Sequence, residues 1–137
     1  ETPELLIDVA TLTGAARAAT GMELPPFFTD DETLAADLAR AGTVACDPVW
    51  RLPLWRGYEN TLASPIADMT NSPHYGLAGA ITAALFLNRF VERAKSWVHL
   101  DIPAWNDRPR PGRRVGAEAN TARALYALIA ARYGAKA

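Results

Sequence analysis

Leu5-Leu6-Ile7-Asp8-Val9-Ala10-Thr11-Leu12-Thr13-Gly14-Ala15-Ala16 is the stretch on which the fold turns. Its apolar residues run on without alternation, the pattern of a strand buried on both faces. The run stops abruptly at two threonines and a glycine. A buried strand that ends this way delivers its C-terminal end to a site. Gly14 has no Cβ, so another backbone can approach it closely. Peptide N–H and C=O groups freed at the strand end can then bind a second peptide. The blander reading is a buried strand followed by a tight turn.

Outward from this stretch, the chain alternates helices and strands. Ala15–Thr20 predicts a short helix closed by Gly21. Phe27-Phe28, after Pro25-Pro26, predicts a short edge strand. Thr29 and Glu32 have capping-box spacing, with Thr29 as N-cap. Leu34, Leu38 and Ala41 share one face of the helix that follows, and Gly42 is expected to end it. Pro53, among Trp50, Leu52, Leu54 and Trp55, argues against a central strand there. Arg56–Leu62 predicts one or two helical turns, and Ser64–Leu77 a long loop of the kind that is usually functional or interfacial. Gly79–Ala94 predicts a well-buried helix. Trp97–Ile102 predicts a strand with Val98, Leu100 and Ile102 on one side and Trp97, His99 and Asp101 on the other. Pro103–Gly116 predicts a second long loop. Ala117–Tyr133 predicts a closing helix with Ala122, Leu125, Tyr126 and Ile129 inward and Gly134 as its stop. The fold class is α/β: a partial mixed sheet flanked by helices. Ligands bind outside strand ends in open α/β sheets, which places a site at Thr11–Gly14 and Pro103–Asn106.

Composition narrows the function. The 137 residues suffice for one domain with a real core and not for two. A net charge of −1 gives no global field to recruit nucleic acid or anionic membrane. One cysteine, Cys46, excludes an internal disulfide and suits a reducing compartment. No apolar stretch approaches the ~20 residues that span a bilayer. The chain starts at Glu1 and enters a core strand within a few residues. That favours a piece of a longer polypeptide over a processed or tagged small protein.

Further segments point one way, in order along the chain. They are Ala67-Asp68-Met69-Thr70-Asn71, Ala78-Gly79-Ala80-Ile81-Thr82-Ala83-Ala84-Leu85-Phe86-Leu87, Val98-His99-Leu100-Asp101-Ile102, and Pro103-Ala104-Trp105-Asn106 with Arg110-Pro111-Gly112-Arg113 and Ala122-Arg123-Ala124-Leu125-Tyr126-Ala127-Leu128. Together with Ala10-Thr11-Leu12-Thr13-Gly14-Ala15 they resemble the leucyl aminopeptidases (cytosol aminopeptidases) over essentially the whole chain. The resemblance implies the C-terminal portion of a zinc-peptidase-like catalytic domain, residues 1–137. It implies a cytoplasmic hydrolase that releases N-terminal residues from peptides, often leucine. It also implies two divalent ions, Mn or Zn, that activate a bridging water, and a homo-oligomer, hexameric in the family.

The family's metal-binding Lys and Asp, its Asn-Thr-Asp-Ala-Glu-Gly-Arg motif, its catalytic lysine and its bicarbonate-holding arginine belong upstream and do not occur here. The resemblance therefore assigns this chain no catalytic residue and no metal ligand. It assigns one wall of the substrate pocket. Thr11 and Gly14 match positions lining the first side-chain pocket, and Leu12 and Gly14 match positions whose backbone bonds the peptide. Pro103 and Asn106 stand where that pocket is completed, and Ser72 where the next is bordered.

Other candidates for chemistry have plainer readings. His99 and Asp101, two apart on one strand face, could suit a metal, but internal hydrogen bonding is favoured. Cys46 and the threonines have no activating partner in the pattern. Asp68 and Asn71 read as a turn-forming pair. Arg108, Arg110, Arg113 and Arg114 read as a solvated loop or subunit contact before a nucleic-acid surface, since no aromatic platform accompanies them. The partners implied are a peptide substrate, the remainder of the parent polypeptide and further copies, with no membrane. The alternative function is a non-catalytic folding or oligomerisation module, or a stable proteolytic remnant without activity of its own.

Overall fold

The structure, a computed structural model, describes residues 2–134. The elements are β1 (Leu5–Ala10), α1 (Gly14–Thr20), β2 (Pro26–Phe28), α2 (Glu32–Val44), β3 (Trp50–Arg51), a 3₁₀ helix (Arg56–Leu62), α3 (Gly79–Asn88), β4 (Ser96–Asp101), β5 (Trp105–Asn106), β6 (Gly116–Ala117) and α4 (Ala122–Tyr133). Among the described residues four strands form one mixed sheet in the order β1, β4, β2, β3. β1 and β4 are parallel, in register from Leu5 opposite Ser96 to Ala10 opposite Asp101. β2 is antiparallel to β4 and parallel to β3.

Alternation along β4 divides the core. Val98 and Leu100 turn to one face, with Phe27, Leu34, Leu38, Val49 and Leu128, beneath α2 and α4. Trp97 turns to the other, with Phe28, Ala16, Ala84, Leu85 and Leu62, beneath α1, α3 and the 3₁₀ helix. Each fully buried leucine side chain contributes about 1.5–3 kcal/mol of apolar burial. The result is an α/β/α layering around β4.

Several boundaries differ from the sequence reading. Phe27 and Phe28 are 1% and 0% exposed and lie inside the sheet, because β4 pairs along one side of β2 and β3 along the other. β1 is not covered on both faces, since Leu6 and Val9 are 37% and 44% exposed at the edge of the described sheet. The N-cap of α2 is Asp31, whose carboxylate accepts from Leu34 N at 2.9 Å. Thr29 is engaged elsewhere: its hydroxyl donates to the Trp97 carbonyl at 2.6 Å and accepts from Asp31 N at 3.1 Å. Glu32 turns away to Arg51.

Gly42 does not end α2, which runs on to Val44. A Cβ there would stand 2.9 Å from the Asp47 carbonyl, so this glycine serves a close crossing of two segments. α3 stops at Asn88, six residues early, because its last turns tighten to i→i−3 bonds before the chain swings into β4. Pro103–Gly116 is not all loop but contains the β5 strand and one residue of its partner β6. α4 begins at Ala122 and buries Ala124 and Leu128, leaving Tyr126 77% and Ile129 43% exposed. Alanines at 122, 124, 127, 130 and 131 spread apolar character around α4, so its periodicity selects no face.

What orients α4 is Asp47, nearly fully buried. Its carboxylate accepts from the backbone N–H of Thr121, Arg123 and Ala124 at 3.0–3.2 Å. These are N–H groups that a helix start leaves unpaired. Thr121, at φ 70, makes no side-chain cap. Asp47→Ala therefore should destabilise the chain by about 2–3 kcal/mol, with Asp47→Asn intermediate, as measured by urea denaturation.

The Asp31 cap carries a pH signature. The Ser96 hydroxyl first, and then the Leu34 N–H, hold its carboxyl below the ordinary 3.8. A folded-state value below the unfolded one gives stability that is complete above about pH 4 and disappears as acid titrates the folded carboxylate. Asp31→Asn should thus lower stability at neutral pH and flatten its fall below about pH 4, measured by denaturation across pH.

Candidate functional site

Parallel pairing of β1 and β4 brings their C-terminal ends side by side, with Ala10 opposite Asp101. Asp101 is 2% exposed. Its Oδ1 accepts from Leu12 N at 2.9 Å and Thr13 N at 3.2 Å. Its Oδ2 accepts from Thr13 N at 3.1 Å and from the Thr13 hydroxyl at 2.6 Å. That hydroxyl in turn accepts from Ala16 N at 3.0 Å and so caps α1. One carboxylate thus fixes the turn after β1 and the start of α1.

The neighbouring polar residues of β4 act in the same direction. His99, fully buried, meets Asp8 Oδ1 through Nδ1 at 2.5 Å, and Trp97 Nε1 donates to Asp8 Oδ2 at 2.7 Å. The His99 ring stacks with those of Phe28 and Trp97. Its Nε2 is buried without a partner among the described residues.

Beside the turn opens a cleft of about 520 Å³. Leu12 and Thr13 form one side, Ser72 and Tyr75 of the long loop another, and Thr82 and Phe86 of α3 the floor. Ala78, at φ 56, precedes α3, and its carbonyl accepts from Ile81 N and Thr82 N, which sets the angle at which the loop meets the helix.

Of the residues singled out in the sequence, Leu12 and Ser72 come together on this cleft. Thr11 and Gly14 are exposed on either side of the Leu12–Thr13 turn. The Leu12 carbonyl shares its peptide unit with the Thr13 N–H, so with that N–H on Asp101 the carbonyl points away from β4. Pro103 is buried. Asn106 is 2% exposed, with Nδ2 donating to the Arg114 carbonyl at 2.6 Å and Oδ1 accepting from Arg110 Nε at 3.0 Å. It braces the β5–β6 hairpin. Tyr75, Thr82 and Phe86 were not anticipated, because they reach the cleft only through the packing of the loop on α3.

The arginine loop is largely neutralised. Glu23 meets both Arg108 and Arg110 at 2.8 Å, and Glu118 meets Arg113 at 2.6 Å. Arg108 lowers the Glu23 carboxyl, and Glu23 raises the Arg108 guanidinium. Trp50 and Trp55 are 59% and 62% exposed and contribute little to the core.

No group of three or more His, Cys, Asp or Glu among the described residues could hold a metal ion. Both oxygens of Asp101 and of Asp8 are already engaged, and His99 is enclosed. Among the described residues, the side chains do not fit a divalent ion.

The profile of the cytosol aminopeptidase family's catalytic domain matches residues 1–127. The chain belongs to that family. A probable cytosol aminopeptidase of Synechococcus is 44% identical over 137 residues, covering 98% of this chain and 26% of that protein. The crystal structure of the Coxiella burnetii cytosol aminopeptidase superposes with a TM-score of 0.89 at 48% identity, over 96% of this chain and 29% of that one. The bottromycin maturation enzyme BotP, solved in complex with Mn, gives 0.89 at 38% identity, over 94% and 29%. The chain thus spans about a quarter of the length of these cytosol aminopeptidases. Among the described residues no helix is long and apolar enough to cross a membrane.

Isothermal titration of the 137-residue chain with Mn²⁺ or Zn²⁺ is expected to show no stoichiometric binding. Tight uptake of two ions would contradict the reading of its carboxylates as engaged.

Proposed function

We propose that this chain is the C-terminal segment of the catalytic domain of a metal-dependent leucyl aminopeptidase, and that it forms one wall of the substrate cleft. The whole enzyme hydrolyses N-terminal residues from peptides. Two divalent ions, Mn or Zn, are held by residues outside this chain. The enzyme works in the cytoplasm as a homo-oligomer, a hexamer as the family resemblance implies. The family membership and the cleft beside Leu12 support this reading.

This chain's part is to bind and orient. The Leu12 carbonyl can accept a hydrogen bond from a peptide N–H. The Gly14 N–H, at the first position of α1, has no acceptor within the helix and can donate to a peptide carbonyl. Thr11 and Gly14 border the pocket for the first side chain and Ser72 borders the next, while Pro103 and Asn106, buried and engaged within this chain, support that wall from behind and do not line it. Fixed backbone groups of this kind orient a peptide without reorganising as it binds.

Gly14 carries this reading furthest. A Cβ on it would meet nothing of this chain nearer than Arg17 Nη2 at 3.8 Å, and its φ is not positive. Neither packing nor backbone strain within the described residues calls for a glycine there. A glycine there leaves room for the close approach of a peptide main chain, which is what the proposal requires.

Gly14→Ala should therefore leave the stability of the 137-residue chain unchanged or raise it by about 0.4–1 kcal/mol. In the full-length polypeptide the same change should raise KM for leucyl peptides by about tenfold or more. Metal-dependent release of N-terminal residues by the full-length polypeptide is the accompanying test. Its absence would remove the enzymatic reading and leave the assembly module.

A further inference from the structure

We propose that Asp101 is a positioning residue for peptide binding, a role that rests on the cleft reading above. Its buried carboxylate draws the N–H groups of Leu12 and Thr13 inward and thereby aims the Leu12 carbonyl at the substrate.

The geometry is specific. A peptide unit has its N–H and C=O on opposite edges, so capturing one N–H fixes where the neighbouring carbonyls point. Asp101 takes two successive N–H groups, Leu12 and Thr13, and the hydroxyl between the turn and α1. The Leu12 carbonyl lies in the peptide unit whose N–H belongs to Thr13. With that N–H turned to Asp101 at 3.1–3.2 Å, the carbonyl turns away from β4. The carboxylate itself is 2% exposed and fully engaged, so it acts through the turn and not on the substrate. Being charged, it accepts these N–H groups more strongly than a neutral acceptor would. It also stands on the strand paired with β1, so the turn is held against the sheet and not against a mobile loop.

Asp101→Asn keeps one acceptor oxygen for the N–H groups and loses the acceptor for the Thr13 hydroxyl. Asp101→Ser withdraws from all of them. The full-length polypeptide carrying each change is assayed on leucyl-glycine and on its ester counterpart, leucyl-glycolate, which lacks the scissile N–H. If the Leu12 carbonyl accepts that N–H, KM for the peptide rises about tenfold in Asp101→Ser and less in Asp101→Asn, while KM for the ester, which keeps only the Gly14 N–H contact, rises by at least about threefold less. An equal loss on both substrates assigns Asp101 a purely structural role and overturns the proposal, as does no loss on either.

Amide hydrogen exchange in the unsubstituted 137-residue chain needs no variant. The Leu12 and Thr13 amides should exchange at least about tenfold more slowly than those of the exposed loop at Ser64–Leu77. Unprotected amides there overturn the clamp itself. Protected amides in a full-length polypeptide that has no peptidase activity overturn the proposed function, and with it this role of Asp101, while leaving the clamp as a feature of the fold.

Discussion

A buried carboxylate at the end of one strand holds the turn that leaves its neighbour, and the rest of the site follows from that constraint. Asp101 lies 88–89 residues beyond the groups it binds, yet its position is fixed by six residues of parallel pairing between β1 and β4. A backbone turn at a strand end has N–H groups without ladder partners, and burying them unpaired is costly. A charged acceptor removes that cost and also dictates which way the remaining carbonyl faces. The Thr13 hydroxyl extends the control by one link, because it donates to Asp101 and caps α1 at once. Strand, turn and helix are thereby one rigid unit beside the cleft.

The same device recurs on the opposite side of the sheet. Asp47 caps α4 from a segment 74–77 residues away, as Asp101 caps the turn before α1. At α4 the nearly buried aspartate replaces a local cap that Thr121 does not supply, and at α1 it anchors the local cap, Thr13. Each ties together elements that hydrophobic packing alone would let slide. α4 shows why this matters, since its alanine-rich surface could pack almost any way round. Between the two aspartates, β4 carries Val98 and Leu100 into one core and Trp97 and His99 into the other. A disturbance at β4 is therefore felt in both layers.

Much of the scaffold was legible where a pattern is local. Continuous apolar residues gave β1, alternation gave the two faces of β4, and the spacing of Leu34, Leu38 and Ala41 gave the buried face of α2. The features that escaped depend on partners distant in sequence. Nothing near Phe27 says that β4 will flank it. Nothing near Asp47 says that a helix will start above it. Thr29 and Asp31 are both good caps, and only the claim of the Trp97 carbonyl on Thr29 decides between them. At the site, the glycine-bearing turn was visible in the motif. The cleft itself was not, because its floor is built from α3 and its far side from a loop with no periodicity.

On the proposed reading this turn meets a peptide through its backbone, with its direction set by Asp101. The most direct measurement is a crystal structure of the full-length polypeptide with a slowly cleaved leucyl dipeptide bound. The Leu12 carbonyl and the Gly14 N–H are expected within about 2.7–3.2 Å of the dipeptide's main chain, with Asp101 still on the Leu12 and Thr13 N–H groups. A dipeptide seated away from this turn, or a turn released from Asp101 when the dipeptide binds, would contradict it.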